Sequence, residues 1–245
     1  MAKKARFLSF VVFCLVAVLV VSWSVYPWAE AQEGPNWHKG LPKQYKSKWL
    51  VHDLKRPKPE VVTQAGPVGS APSDAIVLFD GKNLDEWVGR KGAATWTVKD
   101  GIMTVAPGQG DMYTKRKFGD IQLHMEWRTP AATKRKGESK GNSGIKFHSA
   151  YEIQVLDNYK NQSNPKGQAG SVYKQHVPLV NACRPPGEWQ TYDIVFRAPY
   201  YDKDGKRVKM GTFTVFHNGI LVPVSYTHLR AHETSLHLVC RLLLE

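Results

Sequence analysis

The sequence predicts an all-β fold, either a sandwich or a barrel of antiparallel strands. From residue 74 onward, short apolar segments of strand character alternate with Gly, Pro, Asn and Asp, and no segment has the apolar period of an amphipathic helix. Many short strands joined by turns pack as two sheets or as one closed sheet. With 245 residues, 42% of them hydrophobic, the chain can form one substantial core.

The candidate strands follow one another at short intervals. The clearest hairpin turn is Lys99-Asp100-Gly101-Ile102, because Asp-Gly accepts the positive φ angles that a two-residue turn requires. The predicted strands are residues 76–79, 95–99, 102–106, 111–114, 121–128, 144–148, 153–157, 191–198 and 212–217.

The first 31 residues have the three parts of a secretory signal peptide. A basic start at residues 3–6 precedes an apolar run at 7–21 and a small-x-small cleavage site at 29–31. The apolar run is about 15 residues long, whereas a full bilayer span needs about 20. We therefore predict cleavage, a secreted or periplasmic location, and no stable membrane span in the mature protein.

Three further segments follow the signal peptide. Residues 32–72 are rich in Pro and Lys without a sustained period, which predicts a basic arm or linker. Residues 73–224 carry the strand pattern and form the predicted domain. Residues 225–245 break that pattern abruptly and resemble translated adaptor sequence, so we predict a non-native tail. Between signal peptide and tail Cys183 is the only cysteine, which predicts a buried thiol and no internal disulfide.

The chain is strongly basic. It contains 34 Lys and Arg against 21 Asp and Glu, a formal net charge of +13. Much of this charge lies in the arm and in a loop with Lys134, Arg135, Lys136 and Lys140. The sequence shows no recognition helix, aromatic RNA-binding motif or zinc module, so we predict a solvated basic surface and no nucleic-acid partner.

Three of the predicted strands each have one polar face, because side chains alternate along a strand. If these strands are neighbours, their polar faces combine into one surface; the alternative for each strand is a solvated outer face, which antiparallel sheets commonly have. The polar residues are Gln122, His124, Glu126 and Arg128 on the first strand, Lys146 and His148 on the second, and Glu152 and Gln154 on the third.

Aromatic residues near these strands favour a carbohydrate groove. Tyr113, Tyr151, Tyr159, Trp127 and Trp189 supply flat rings, and sugars present both C–H faces and hydroxyl groups to such a combination of rings and polar groups. The loops at 141–144, which include Asn142, at 159–165 and at 178–189 are expected to form the rims.

Six ordered motifs identify a family resemblance over about residues 74–222. They are Leu78-Phe-Asp-Gly-Lys-Asn-Leu-Asp-Glu-Trp87, Trp96-Thr-Val-Lys-Asp-Gly-Ile-Met103, Glu126-Trp-Arg128, Gly141-Asn-Ser-Gly-Ile145, Tyr151-Glu-Ile-Gln-Val-Leu-Asp157 and Gly187-Glu-Trp-Gln-Thr-Tyr-Asp-Ile194. Together they resemble the 3-keto-disaccharide hydrolase domain, long a domain of unknown function. The resemblance implies a concanavalin A-like jelly roll and an activity on sugars oxidised at carbon 3. Family members continue past residues 216–219 into closing strands, so we expect a jelly roll truncated at its C-terminus.

The resemblance also directs the assignment of site residues. Related jelly-roll glycosidases have a Glu-x-Asp strand, but here the second acid is replaced by Gln154, which disfavours a two-carboxylate mechanism. A 3-keto group acidifies the proton on carbon 2, so one base can start an elimination that water addition completes. We assign Glu152 or His148 as the base. The expected substrate-binding residues are Glu126, Arg128, Lys146, Gln154, Asn142, Tyr113 and Trp189.

Alternatives remain for the cofactor and for the class of function. Jelly rolls often carry calcium, and Asp157, Asn158, Asp202 and Asp204 offer oxygens, although such residues are also ordinary turn formers. No cofactor is assigned with certainty, and calcium is the candidate. The first function is an exported hydrolase or lyase of 3-keto-glycosides. The alternatives are a lectin-like binding module on the same fold and a structural envelope protein attached by its arm.

Overall fold

The computed structural model describes residues 46–64, 66–67, 70–224 and 239–240. The predicted signal peptide, the predicted arm up to residue 45 and most of the predicted tail lie outside the described residues. The chain divides into two compact units, Met1–Val62 and Thr63–Glu245, and residues 46–62 of the first unit form turns and extended chain. Over the described residues no helix is long and apolar enough to cross a membrane.

The second unit is an all-β jelly-roll sandwich, as the sequence predicts. One sheet has six strands in the order β2-β1-β5-β14-β7-β8, and the other has four in the order β13-β12-β9-β6. The pairs β3–β4 and β10–β11 form two small hairpins. The strands are β1 (Trp87–Gly89), β2 (Gly92–Ala93), β3 (Thr97–Lys99), β4 (Ile102–Thr104), β5 (Met112–Thr114), β6 (Ile121–Trp127), β7 (Ser143–Phe147), β8 (Tyr151–Val155), β9 (Gln190–Arg197), β10 (Tyr200–Tyr201), β11 (Arg207–Lys209), β12 (Thr212–His217), β13 (Ile220–Val224) and β14 (Val239–Cys240). Helical structure in the described part of the chain is limited to two 3-10 turns, Gly137–Ser139 and Pro165–Gly167.

Most predicted strands form, with shifted ends. The Asp100-Gly101 hairpin is confirmed, since Lys99 pairs with Ile102 and both turn residues have positive φ, 51° and 76°. The strand predicted at 76–79 is wrong. Its apolar residues Ile76 and Val77 are 47% and 50% exposed. They therefore do not belong to the buried face of a sheet.

The core lies between the two main sheets. Phe147 of β7 packs against Phe196 of β9 and Phe213 of β12, with ring centroids 5.0 Å apart in both pairs. Tyr151 and Ile153 of β8 are equally buried. Because neighbouring side chains on a strand alternate, the residues between these core positions point to the other face of the six-stranded sheet.

One buried histidine occupies the core face of β12. His217 is fully buried, and its Nε2 lies 2.7 Å from Oε1 of Gln190, which also accepts from the Arg184 backbone N–H and from the Asn218 amide. An oxygen that accepts these bonds requires the hydrogen on Nε2 of His217. Burial, with a smaller contribution from the Arg184 charge, lowers the pKa of His217 to about 4.

This histidine predicts acid-sensitive stability. The unfolded chain gains a proton on His217 below about pH 6.5, whereas the folded chain does not until about pH 4, so stability is lost as the pH falls through this window. The expected loss from this residue is about 3 kcal/mol. Denaturant melts from pH 7 to pH 4 should show a shallower pH dependence for His217→Gln than for the wild type, and parallel curves would contradict the assignment.

Candidate active site

A row of chemically active side chains crosses the non-core face of the six-stranded sheet. Lys146 on β7 lies directly opposite Glu152 on β8, and Val239 of β14 pairs with both Lys146 and Tyr113 of β5. Cross-strand partners share a face, so Tyr113, Lys146 and Glu152 lie in one row. The Tyr173 backbone N–H donates to the Glu152 carbonyl at 2.8 Å, which extends the row. We call these four residues the candidate row.

The Glu152 carboxylate is positioned over a glycine. A Cβ added at Gly144 would overlap Oε1, Cδ and Cγ of Glu152, so the carboxyl group occupies the space above the Gly144 backbone. Gly144 does not have a positive φ, so its backbone conformation does not require glycine. Glycine is required because the Glu152 carboxyl group fills the space that a Cβ would occupy. The motif Gly141-Asn-Ser-Gly-Ile145 therefore provides room for the acid of the neighbouring strand.

The substitution Gly144→Ala should displace this carboxylate while leaving the fold intact. A shift of about 1 Å in a catalytic group can lower a rate by about 10²-fold, and we expect kcat to fall by that order. The matched control is Gly119→Ala, because a Cβ there meets nothing within 4 Å and φ is not positive. Steady-state kinetics with thermal melts would check this, and unchanged activity of Gly144→Ala would contradict the placement of Glu152.

Lys146 brings a positive charge into the row. Its Nζ donates to Oδ2 of Asp111 at 2.9 Å, and both side chains are largely buried, with 28% and 20% exposure. A partly buried ion pair fixes the ammonium group in place and is screened less by salt than an exposed pair. The ammonium group can therefore stabilise negative charge on a bound substrate.

Gln154 holds the ends of β7 and β8 together. It is 2% exposed, and its amide nitrogen contacts Oδ1 of Asn142 at 3.1 Å and the carbonyls of Ser143 and Val155, both at 2.9 Å. These three partners are all acceptors, and an ionised Asp is itself acceptor-only. A carboxylate at this position would face three acceptors, which gives a physical reason for Gln in place of the second acid.

The polar faces of β7 and β8 combine, but that of β6 does not join them, because β6 pairs with β9 in the other sheet. Glu126 is exposed on the outer face of the four-stranded sheet, where the neighbouring His124 contacts Asp193 at 2.6 Å. Arg128, just after β6, lies over the Trp189 ring at 4.9 Å. The strand of Glu126 is therefore not a neighbour of β7 and β8, and the single surface expected if the three strands were neighbours does not form.

His148 also lies outside the row. Strand β7 ends at Phe147, and His148 and Ser149 have φ angles of 52° and 53°, which breaks the alternation that placed His148 beside Lys146. The ring packs edge-on against Phe196 at 5.1 Å, and Nε2 lies 3.2 Å from the Phe118 carbonyl. Burial lowers the pKa of His148. Its side chain therefore packs against the core instead of facing the row.

The proposed calcium ligands are engaged in other contacts. Asp157 is 1% exposed and its Oδ2 lies 2.8 Å from the Lys140 ammonium, while Oδ1 accepts from the Tyr159 backbone. Asn158 Oδ1 accepts from Ala169, and Asp202 Oδ1 accepts from two backbone N–H groups of its own hairpin. The described residues contain no group of three or more His, Cys, Asp or Glu placed to hold a metal ion. A calcium requirement stays a prediction.

The cysteine shows no sign of activation. Cys183 is half-buried, and its Sγ lies 3.7 Å from the Leu156 carbonyl. Burial raises the pKa of this thiol to about 12, so it is not a thiolate at neutral pH.

Sequence reasoning missed Asp111 and Tyr173. Asp111 stands two positions before Tyr113, so alternation along β5 could have placed both on one face. Tyr173 follows an isolated bridge between Val172 and Ile153, outside any named strand, and it has no periodic signal.

The protein is thus a two-sheet jelly roll that carries an acid, Glu152, and an ammonium group, Lys146, on one sheet face. Residues 74–235 match the family described as the 3-keto-alpha-glucoside-1,2-lyase-like domain, and the chain belongs to this family. It is 28% identical over 149 residues to a 3-keto-disaccharide hydrolase of Bacteroides thetaiotaomicron, a match that covers 49% of this chain and 51% of that protein. The chain thus spans about half the length of this relative.

A solved structure supports the same fold. A crystal structure from Parabacteroides distasonis, provisionally named a glycosyl hydrolase, is 40% identical with a TM-score of 0.70. The match covers 78% of this chain and 88% of that one.

Proposed function

We propose that this protein cleaves the glycosidic bond of 3-keto-glycosides by elimination followed by hydration. The observation that carries this proposal is the Glu152 carboxylate held over Gly144, in one row with the Lys146 ammonium and next to an amide, Gln154. The names of the matched family and of the Bacteroides relative support the substrate class. The signal peptide at 1–31 supports export to the periplasm or the medium.

The first step needs one base and one positive group. Glu152 removes the proton from carbon 2 of the keto sugar, and the C–H electron pair forms an enolate whose oxygen, on carbon 3, is stabilised by Lys146. The enolate then expels the substituent on carbon 1, so the bond between carbon 1 and the glycosidic oxygen breaks. The departing oxygen takes the proton that Glu152 removed from carbon 2, so Glu152 is again a carboxylate and an unsaturated 3-keto sugar is left.

Hydration completes a net hydrolysis. Water then adds its oxygen to carbon 1 and loses a proton to Glu152, which passes this solvent-derived proton to carbon 2. In the net reaction one glycosidic bond is cleaved and one water molecule is consumed, with no change in oxidation state. A double displacement would need a second carboxylate about 5 to 5.5 Å from the first. On this face the positions next to Glu152 hold Lys146 and Gln154, and the carboxylate of Asp111 is paired with Lys146 at 2.9 Å, which favours elimination.

Deuterium incorporation tests the mechanism. Turnover of a 3-keto-glucoside in D₂O should give a 3-keto-glucose that carries deuterium on carbon 2, as measured by NMR or mass spectrometry. The controls are substrate without enzyme and product incubated with enzyme. Cleavage without deuterium on carbon 2 would contradict elimination, and binding of the sugar without turnover would favour the lectin-like module.

A further inference from the structure

A small polar hollow opens beside the candidate row. Its volume is about 210 Å³, and its lining includes Thr133, Arg135, Glu138, Ser139 and Asn142. These side chains offer a guanidinium group, a carboxylate, two hydroxyls and an amide. Such a mixture of donors and acceptors suits a neutral ligand with several hydroxyl groups.

The hollow connects to the row through one side chain. Oδ1 of Asn142 accepts from the buried amide of Gln154, and Nδ2 of Asn142 donates to the Glu138 carbonyl at 2.6 Å. Lys146 and Gly144 lie two positions apart on β7, a separation of about 6.6 Å, and Asn142 immediately precedes β7, where it contacts Gln154, the pairing partner of Gly144. The ammonium, the carboxylate over Gly144 and the hollow therefore follow one another in a line.

This order matches the order of atoms in the reaction. Carbon 2 lies between carbon 3, which carries the keto oxygen, and carbon 1, which carries the leaving group. With the keto oxygen at Lys146 and carbon 2 at the carboxylate over Gly144, the substituent on carbon 1 points toward Asn142. We infer that the hollow beside Asn142 is the subsite for the leaving sugar of a 3-keto-disaccharide. This inference rests on the proposed function.

The wall of the hollow is held by buried contacts. Lys140 pairs with the buried Asp157, and the Asn161 side chain bonds both the backbone N–H and the carbonyl of Gly137. Gly141 has a φ of 63°, and a Cβ there would lie 2.5 Å from the Thr129 methyl group. A wall fixed in this way loses little conformational freedom when a sugar binds, which favours affinity.

Paired substrates test the subsite. For Arg135→Ala, we expect the KM for a 3-keto-glucosyl-glucose disaccharide to rise about tenfold, the scale of one lost hydrogen bond from a charged group, and the KM for methyl 3-keto-glucoside to stay unchanged. The matched control is Lys134→Ala, an adjacent exposed cation outside the lining, which should change neither KM. Equal changes for both substrates, or none, would overturn the subsite.

A binding measurement separates this inference from the proposed function. In the Glu152→Gln background, calorimetry should show that Arg135→Ala weakens disaccharide binding about tenfold and leaves methyl glycoside binding unchanged. If the wild type cleaves neither substrate but this difference persists, the proposed function fails and the subsite stands. If both substrates are cleaved and the difference is absent, the subsite alone fails.

Discussion

Replacing Glu152 by Gln is expected to lower kcat for a 3-keto-glucoside by about 10³-fold, because positioned general bases contribute about 10² to 10⁴ to a rate. The amide is nearly isosteric with the carboxylate that lies over Gly144, so the sheet should fold as before. It cannot accept the carbon 2 proton, so deuterium exchange at carbon 2 should fall by the same factor. KM should change little, since Gln keeps the shape and can still hydrogen-bond to the sugar.

The matched control is Glu126→Gln. Glu126 is also a strand glutamate, but it is exposed on the outer face of the four-stranded sheet. This change should leave kcat within a factor of two or so, since surface substitutions away from a site have small effects. Similar losses for both variants would place Glu126 in the site, contrary to the structure. Full activity of Glu152→Gln with intact melting behaviour would remove Glu152 as the base.

Replacing Lys146 by Met is expected to lower kcat by about 10²-fold, the scale of one lost oxyanion contact. The ammonium is assigned to the enolate oxygen, which bears more charge in the transition state than the ground-state ketone does, so the loss should be larger in kcat than in KM. The change also leaves Asp111 without its cation, and a partly buried carboxylate near the substrate adds to the loss.

Lys146→Arg and Asp111→Asn separate these two contributions. Lys146→Arg keeps the charge in a different shape, so part of the activity should return relative to Lys146→Met. The double variant Lys146→Met with Asp111→Asn should melt at a higher temperature than Lys146→Met alone without regaining kcat. If the double variant regains wild-type activity, Lys146 only neutralises Asp111 and does not stabilise the enolate.

The local pattern of the sequence determined much of the fold. Period-two alternation correctly separated Met125 and Trp127 from Glu126, because burial of one sheet face constrains which residues face inward. The Asp100-Gly101 pair specified its hairpin, because few residues adopt two successive positive φ angles. Alternation also placed Lys146 opposite the core residues Ile145 and Phe147.

The membership of the site was decided by tertiary structure. Alternation assigns a side chain to a face but not to a sheet. The pairing of β6 with β9 places Glu126 in a different sheet from Glu152. The positive φ of His148 is a local departure that a strand pattern cannot show.

By itself, therefore, the sequence determined an all-β jelly roll and the family to which it belongs, because short-range periodicity, turn chemistry and ordered motifs are written along the chain. Only the tertiary structure decided that Glu152 lies over Gly144, that Lys146 is paired with Asp111, and that Gln154 binds Asn142. Contacts between Asp111 and Lys146, 35 residues apart, depend on strand order and register. Strand order and register depend on which sheets can bury their apolar faces against each other. No short window of sequence determines this, because the strands involved are far apart along the chain.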